Sequence, residues 1–259
     1  MHSALILDQI AARLARSRRV LFITGAGISA DSGLPTYRGV GGLYEGDLTE
    51  EGLPIEAVLS GEMFRMRPDI TWKYLAEIER TCRGARPNAA HYAIASLERL
   101  LGHVLVFTQN VDGLHRAAGS RRLIEVHGNL HELVCTACDF AERVADLAGR
   151  TLPPACPACG SLLRPNVVLF GEALPADAID DLLQDLEAGM DMVFTIGTSG
   201  SFPYIAEPVL WAAQAGIPTV EINPQATRLT PHVRHHVQLG AADAMSALME
   251  RLAGRGMRV

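Results

Sequence analysis

The sequence predicts an α/β fold: a Rossmann-like parallel sheet with helices on both faces, plus a smaller inserted domain containing a structural zinc ribbon. Three observations support this prediction. Short apolar segments alternate with helical ones, a glycine-rich turn follows the first apolar segment, and four cysteines form two Cys-x2-Cys pairs. Strands that alternate with helices are joined by right-handed crossovers, which produce a parallel sheet covered on both faces. Such a sheet binds ligands at the carboxyl ends of its strands.

Short apolar segments with the length and composition of buried strands recur along the chain. They are Val20–Thr24, His103–Thr108, Leu123–Val126, Val167–Phe170, Met192–Ile196 and Thr219–Ile222. Helical patterns lie beside them, at residues 3–17, 88–101, 176–187, 204–215 and 241–253.

Two stretches interrupt this alternation. Residues 38–87 contain glycine-rich and acidic loops and a helical patch around Ile70–Glu79, and residues 129–164 contain the paired cysteines. We interpret both as insertions that together form the smaller domain. The Rossmann-type domain then comprises residues 1–37, 88–128 and 165–259.

Composition and charge exclude several classes of protein. The 259 residues are 48% hydrophobic and 20% charged, with a net charge of −6, so we expect a sizeable core and no non-specific binding to nucleic acid. No apolar run approaches the ~20 residues that a membrane span needs. Residues Met1–Asp8 carry no signal-peptide pattern. We therefore expect a cytoplasmic protein with no membrane or nucleic-acid partner, and the sequence leaves its oligomeric state open.

The four paired cysteines predict a metal site. Cys135 and Cys138 are followed, seventeen residues later, by Cys156 and Cys159. Two thiolates from each tight turn complete a tetrahedron around Zn²⁺, and because no position remains for water, the ion is structural. The alternatives are four buried free cysteines or a redox pair. The unpaired Cys82 is predicted to pack as a small hydrophobe.

The glycine-rich turn that follows the first strand predicts a dinucleotide site. Gly25, Gly27 and Ala30 fit the pattern G-x-G-x-x-G/A, in which the glycines allow a tight turn and a close approach to pyrophosphate. The acidic residue that a dehydrogenase carries about 20 residues further on is missing, because Asp31–Gly39 reads as a loop. NAD is therefore the predicted cofactor, but ordinary hydride transfer is disfavoured.

Polar groups follow four of the predicted strands, at Thr108–Gly113, Glu125–Asn129, Gly197–Ser199 and Asn223. A lone polar residue at a strand end is usually a cap, but four such segments at one sheet edge, beside a phosphate-binding turn, indicate a site. His127 is the candidate general base, because imidazole titrates near neutrality. We assign His91 and His115 to helix surfaces or packing.

These segments resemble those of bacterial-type sirtuins in their residues and in their order along the chain. The resemblance extends from about residue 20 to the C-terminus. The resemblance rests on Gly25–Ser29, Thr108–Asp112, His127–Asn129, the four cysteines, Gly197–Ser199 and Asn223. It implies an NAD-dependent protein-lysine deacetylase or deacylase that yields nicotinamide, O-acyl-ADP-ribose and free lysine. Its partners would be acyl-lysine proteins or peptides, with NAD as co-substrate and one structural zinc ion.

The resemblance also implies roles for individual residues. The implied catalytic residues are His127, Asn110 and Asp112. The implied NAD-binding residues are Gly25, Ala26, Gly27, Asp31, Thr36, Tyr37, Arg38, Gln109, Asn110, Asp112, Gly197, Thr198, Ser199, Asn223 and Ala242. The implied substrate-binding residues, whose backbone pairs with a peptide while apolar side chains line an acyl-lysine tunnel, are Val167, Val168, Leu169, Phe170, Gly171 and Glu172. The implied zinc ligands are Cys135, Cys138, Cys156 and Cys159.

The sequence departs from the family pattern in three places. Tyr37 replaces the phenylalanine of the family's Phe-Arg-Gly, and the role of the glycine-rich, acidic stretch Gly39–Glu51 stays open. Some sirtuins that prefer succinyl or malonyl lysine carry Tyr-x-x-Arg, and an alignment anchored on Pro87–His91 places Lys73 and Ala76 there. Because a guanidinium partner for an acidic acyl group is then missing, we expect a preference for neutral acyl groups such as acetyl.

Two other functions compete with deacylation. One is mono-ADP-ribosyl transfer to a protein, which uses the same cleavage of NAD with a different acceptor. The other is a non-catalytic NAD sensor or zinc-ribbon binding module. The presence of Asn110, Asp112 and His127 together favours a catalytic site.

Overall fold

The computed structural model describes residues 2–36 and 48–257. The α-helices are α1 (His2–Leu14), α2 (Ile55–Val58), α3 (Gly61–Met66), α4 (Pro68–Cys82), α5 (Ala89–Leu100), α6 (Leu114–Ala117), α7 (Ala176–Glu187), α8 (Pro203–Gln214) and α9 (Ala241–Ala253). The strands are β1 (Arg19–Thr24), β2 (His103–Thr108), β3 (Leu123–Glu125), β4 (Gly128–Cys135), β5 (Ala141–Arg143), β6 (Leu163–Val167), β7 (Met192–Ile196), β8 (Thr219–Ile222) and β9 (His235–Val237). No helix within these ranges is long and apolar enough to cross a membrane.

A six-stranded sheet forms the larger part of the structure. Its strand order is β3-β2-β1-β7-β8-β9, and every neighbouring pair is parallel. The chain runs outward from β1 through β2 to β3, then returns to the other side of β1 as β7. The strand order therefore reverses between β1 and β7, and in sheets of this kind the crevice that binds a ligand lies at the carboxyl ends of these two strands. The predicted Rossmann-like sheet is confirmed.

Helices cover both faces of this sheet, and the strands alternate between them. In β1, Val20 and Phe22 pack into a cluster with α1, α5 and α9, whereas Leu21 and Ile23 pack towards α7 and α8. Phe22 stacks on Phe194 of β7, with ring centroids 4.8 Å apart. Burial of each such side chain contributes about 1.5–3 kcal/mol, so the sheet holds its strand ends in fixed positions.

A second, three-stranded antiparallel sheet of order β5-β4-β6 packs with α2, α3 and α4 around its own core. Trp72 of α4 is fully buried there and donates from Nε1 to the carbonyl oxygen of Leu163 at 3.0 Å. This core contains side chains from both predicted insertions, so the two insertions pack together as one smaller domain. The domain boundaries themselves stay a prediction, since β4 begins at Gly128 and β6 runs across position 165.

The structure corrects one expectation about strands and adds one strand to the parallel sheet. Val167–Phe170 is not a strand of the parallel sheet: β6 ends at Val167 and belongs to the small sheet. After it, the amide of Phe170 donates to Leu59 and its carbonyl accepts from Gly61, so tertiary contacts replace a strand ladder. Strand β9, which the sequence did not predict, is a short edge strand that begins with His235 and His236.

Candidate active site

The turns that follow β1 and β7 pack backbone against backbone at the crevice. The Gly25 amide donates to Ile196 at 3.1 Å, and the Gly27 amide donates to Gly197 at 2.9 Å. A Cβ on Gly27 would lie 2.6 Å from Cα of Gly197, and a Cβ on Gly197, whose φ is +61°, would lie 2.3 Å from the nitrogen of Ile28. Side chains are excluded here, which leaves a bare backbone surface that a pyrophosphate can approach. The turn continues as a 3-10 helix over Ala26–Ser32 rather than as an α-helix.

Asn110 and Asp112 are tied to this turn through Ser29. Nδ2 of Asn110 donates to the carbonyl oxygen of Gly25 and to Oγ of Ser29, both at 3.2 Å. Oγ of Ser29 donates in turn to Oδ2 of Asp112 at 2.7 Å, while Oδ1 accepts from the Leu114 amide at 2.9 Å. Burial raises the pKa of Asp112, and the two hydrogen bonds that it accepts oppose the rise. An amide and a carboxylate are thus held together beside the glycine turn.

His127 lies just beyond β3, where its ring is held from both sides. Nδ1 lies 2.9 Å from the carbonyl oxygen of Gln109, and Nε2 lies 2.7 Å from the hydroxyl of Tyr204. A carbonyl oxygen only accepts, so Nδ1 carries the proton of the neutral ring and Nε2 has the free electron pair. Burial lowers the pKa of His127, although the contact with Gln109 opposes this. The ring is therefore neutral at pH 7, as a general base must be.

The strand ends on the far side of the crevice are joined through Thr198. Nε2 of Gln109 donates to Oγ1 of Thr198 at 2.9 Å, and Nδ2 of Asn223 donates to its carbonyl oxygen at 3.3 Å. Oγ of Ser199 lies 2.9 Å from Oγ of Ser201. The predicted residues of β2, β7 and β8 therefore form one connected polar edge.

The remaining predicted cofactor residues lie in the segment after β1, at the start of α9, or outside the described residues. Oδ2 of Asp31 accepts from the amide of Ala242, in the first turn of α9, at 3.0 Å. Ala26 and Thr36 are half-buried in the segment after β1. Tyr37 and Arg38 lie outside the described residues, as does most of the glycine-rich, acidic stretch.

The predicted substrate segment begins beside His127. The Val168 amide donates to the carbonyl oxygen of His127 at 2.9 Å. Further on, Glu172 forms a bidentate ion pair with Arg164, at 2.7 and 2.8 Å, and accepts from the Leu169 amide at 2.9 Å. The segment is thus braced at both ends, and Phe170 is partly exposed between them.

The four paired cysteines form one cluster in the small domain. Their Sγ atoms all lie within 4.8 Å of one another, with Cys135 and Cys159 at 3.5 Å and Cys138 and Cys156 at 3.7 Å. Four thiolates about 2.3 Å from one Zn²⁺ lie roughly 3.8 Å apart, so the cluster fits a tetrahedral zinc ion. Strand β4 separates Cys135 from the active-site edge by about 20 Å, at ~3.3 Å per residue. A zinc ion bound by these four cysteines would therefore be structural, as predicted.

Some residues of the site were not predicted. Ser29 stands inside the glycine motif, yet no sequence signal showed that it bridges Asn110 and Asp112. Tyr204 follows Pro203 at the start of α8, a position that predicts a helix start but not the direction of the phenol. His91 and His115 are buried in packing contacts, as expected, and burial lowers the pKa of His115 to about 3.

The glycine cradle and the half-buried histidine at one sheet edge define a nucleotide-dependent α/β enzyme. Residues 25–202 match the model of the Sir2 family, and the chain belongs to that family. A similar relative is NAD-dependent protein deacylase 2 of Pseudomonas syringae pv. tomato, 51% identical in an alignment of 247 positions that covers 94% of this chain and 99% of the relative.

Solved structures agree with this assignment. A Sir2 homologue in complex with NAD is 36% identical and matches with a TM-score of 0.85 over 95% of this chain and 94% of that one. A Sir2 protein with a p53 peptide and NAD+ is 31% identical, with a TM-score of 0.81 over 95% and 98% of the two chains. The predicted family and fold class are confirmed.

Proposed function

We propose that this protein removes acyl groups, acetyl above all, from lysine side chains of proteins in the cytoplasm, and consumes NAD in doing so. The products would be nicotinamide, O-acyl-ADP-ribose and free lysine. The observation that carries this proposal is the position of His127: the carbonyl oxygen of Gln109 accepts its Nδ1 proton, which leaves Nε2 as the base at the sheet edge where Asn110 and Asp112 also lie. The relatives named NAD-dependent protein deacylase support the same activity.

The residues present fit NAD. Gly25, Gly27 and Gly197 must be glycines, because a Cβ at any of the three would collide with the facing turn, and such bare backbone amides after a strand are suited to bind a pyrophosphate. Thr198, Ser199 and Asn223 would hold the rest of the nucleotide, with Asp31 and Ala242 further out. When bound, NAD supplies a nicotinamide leaving group and a ribose that accepts the acyl group.

The side chains around the ribose would divide the chemical work. Asn110 and Asp112 orient the sugar and a water through the contacts that Ser29 fixes. Nε2 of His127 takes a proton from a ribose hydroxyl, and the carbonyl of Gln109 stabilises the resulting imidazolium by holding Nδ1–H. Burial keeps the ring neutral beforehand, so it enters the reaction as a base.

The acyl-lysine peptide would bind along Val167–Glu172. This segment is joined to His127 through Val168, so a peptide paired with its backbone would bring the acyl-lysine to the ribose. The Sir2 protein with a p53 peptide and NAD+ supports a peptide substrate.

The test is to incubate the protein with NAD and a panel of acyl-lysine peptides and to identify the products by mass. We expect loss of the acyl group from the peptide together with formation of O-acyl-ADP-ribose, and neither product in a control without NAD. Gain of ADP-ribose by a protein or peptide would instead establish ADP-ribosyl transfer. Binding of NAD without any product would establish a sensor and contradict the proposal.

A further inference from the structure

The basic nitrogen of His127, Nε2, is hydrogen-bonded to the phenol of Tyr204. The hydroxyl of Tyr204 lies 2.7 Å from Nε2, and the two rings meet edge to face at a centroid distance of 5.9 Å and an angle of 75°. Nδ1 is already bound to Gln109, so both nitrogens of the ring have partners within the chain.

The direction of this hydrogen bond follows from the partners. The neutral ring carries its proton on Nδ1, so Nε2 accepts and Tyr204 donates. Burial raises the pKa of Tyr204 to about 12, so the phenol keeps its proton at neutral pH. The donated proton therefore covers the same electron pair that the proposed reaction uses.

Tyr204 is held where it can both make this contact and leave it. It is the second residue of α8, and the next residue, Ile205, is fully buried and anchors the helix to the sheet. Its outer face stacks on Phe202, with centroids 5.5 Å apart and planes 19° apart, and Phe202 is 46% exposed. The backbone is thus fixed, while the Tyr204 side chain itself is only half-buried.

We propose that Tyr204 is a positioning residue that caps Nε2 of His127 in the resting enzyme and is displaced when a ribose hydroxyl takes its place. The cap holds the electron pair of Nε2 in the resting enzyme and so competes with the incoming hydroxyl. This inference rests on the proposed function for its role in turnover, but the cap itself is a property of the free protein.

The test compares Tyr204→Phe with the wild type in two measurements. The first is the rate at which diethyl pyrocarbonate, which reacts with an unprotonated imidazole nitrogen, modifies His127 at pH 7.5, resolved by peptide mass spectrometry. The net contribution of one hydrogen bond changes an equilibrium constant roughly 2- to 10-fold. Loss of the Tyr204 hydroxyl should free Nε2 to that extent, so we expect His127 to react roughly 2- to 10-fold faster in the variant. His235, half-buried on β9, serves as the internal reference and should react at an unchanged rate.

The second measurement is steady-state deacylation with NAD varied. We expect kcat/KM for NAD to rise by a similar 2- to 10-fold, with kcat within about twofold of the wild type, because the cap acts before chemistry. Tyr92→Phe, which removes a phenol from an exposed position on α5, is the matched control and should change neither measurement.

Two outcomes overturn the proposal. An unchanged modification rate of His127 would mean that no cap exists, and this reading is independent of activity. A tenfold or larger loss of kcat in Tyr204→Phe would mean that the phenol takes part in proton transfer rather than capping. If the wild type shows no deacylation, the proposed function fails, while the modification rate still decides whether the cap exists.

Discussion

The carbonyl oxygen of Gln109 lies 2.9 Å from Nδ1 of His127 and joins the ends of two neighbouring strands. Strands β2 and β3 are parallel, with Thr108 opposite Glu125, so the residues that follow them emerge side by side. The register of the sheet therefore sets the protonation pattern of the imidazole, because the carbonyl holds the proton on Nδ1 and leaves Nε2 as the base.

Replacing this imidazole should abolish activity without unfolding the protein. We expect His127→Ala to lower kcat by about 10²- to 10⁴-fold, the usual contribution of a general base. Melting should change little, because the half-buried ring lies at the crevice rather than in a core. NAD affinity should also be retained, since Gly25, Gly27 and Gly197 are untouched. Turnover near the wild-type rate in a folded variant would show that His127 is not the base.

The glycine cradle predicts a loss of NAD affinity on adding one methyl group. In Gly197→Ala, the new Cβ would lie 2.3 Å from backbone nitrogen, so the turns after β1 and β7 must separate. We expect NAD binding, measured by calorimetry, to weaken at least tenfold. Gly216→Ala is the matched control: its φ is +73° but nothing lies near its Cβ, so it should cost only the ~1–2 kcal/mol of a left-handed alanine and leave NAD binding intact. Equal effects of the two variants on NAD binding would contradict the close-packing explanation.

Removal of zinc should destabilise the small domain first. In such modules the binding free energy of the metal is folding free energy, so its loss costs several kcal/mol. We expect amide hydrogen exchange in β4 and β6 to accelerate while β1 and β7 stay protected. Activity should fall as well, because β4 runs from Cys135 to Gly128, next to His127. Unchanged melting and activity after verified removal of the metal would rule out a structural zinc.

Buried histidines predict a loss of stability in mild acid. Burial lowers the pKa of His115 to about 3 and that of His91 to about 4, whereas both titrate near 6.5 in the unfolded chain. Below pH 6.5 the two histidines therefore bind protons in the unfolded chain but not in the folded chain. The free energy of unfolding consequently decreases as the pH is lowered. Between pH 7.5 and 5.5, His115 should account for about 1 kcal/mol of this fall.

This contribution can be isolated by substitution. His115→Gln keeps an amide that can reach Oγ1 of Thr24, the present partner of the ring at 2.9 Å, but it does not titrate. Urea unfolding at the two pH values should show a smaller difference for this variant than for the wild type. An identical pH dependence in His115→Gln and the wild type would show that His115 does not contribute to the loss of stability in acid.

Much of the fold could be predicted because the apolar runs are sharply bounded. Strands β7 and β8 and helices α7 and α9 begin and end where the sequence placed them, since apolar segments there stop at glycine, proline or charged residues. The segment after Val167 could not be placed correctly, because its conformation depends on hydrogen bonds to Leu59 and Gly61, more than 100 positions earlier. Local periodicity carries no information about such contacts.

The site shows the same division. The gathering of Gln109, Asn110 and His127 follows from parallel strands, whose carboxyl ends share one edge. The bridge through Ser29 and the cap by Tyr204 depend on side-chain directions that packing decides, and no spacing in the sequence reports them. The backbone positions of the parallel strands were thus predictable, but the hydrogen-bond partners of the reactive groups were not.

We expect the acyl preference to follow from the charges around α4. The alignment places Lys73 and Ala76 where some sirtuins carry the tyrosine and arginine that accompany succinyl or malonyl selectivity. Nζ of Lys73 lies 2.7 Å from carboxylate oxygens of both Glu50 and Glu51, so an acidic acyl chain would have to compete with two carboxylates for this ammonium. It would also lack a bidentate guanidinium partner at Ala76.

We therefore expect acetyl-lysine peptides to turn over at least tenfold faster than succinyl-lysine peptides of the same sequence, measured as kcat/KM. Because no charge recognition of the acyl group is involved, the acetyl rate should change little when salt is raised from low to physiological strength, apart from effects of the peptide's own charges. A propionyl-lysine peptide serves as the control for chain length, since it is longer than acetyl but uncharged. Faster removal of succinyl than of acetyl and propionyl would require a cationic partner in the tunnel, and the assignment of Lys73 and Ala76 to that position would then be wrong.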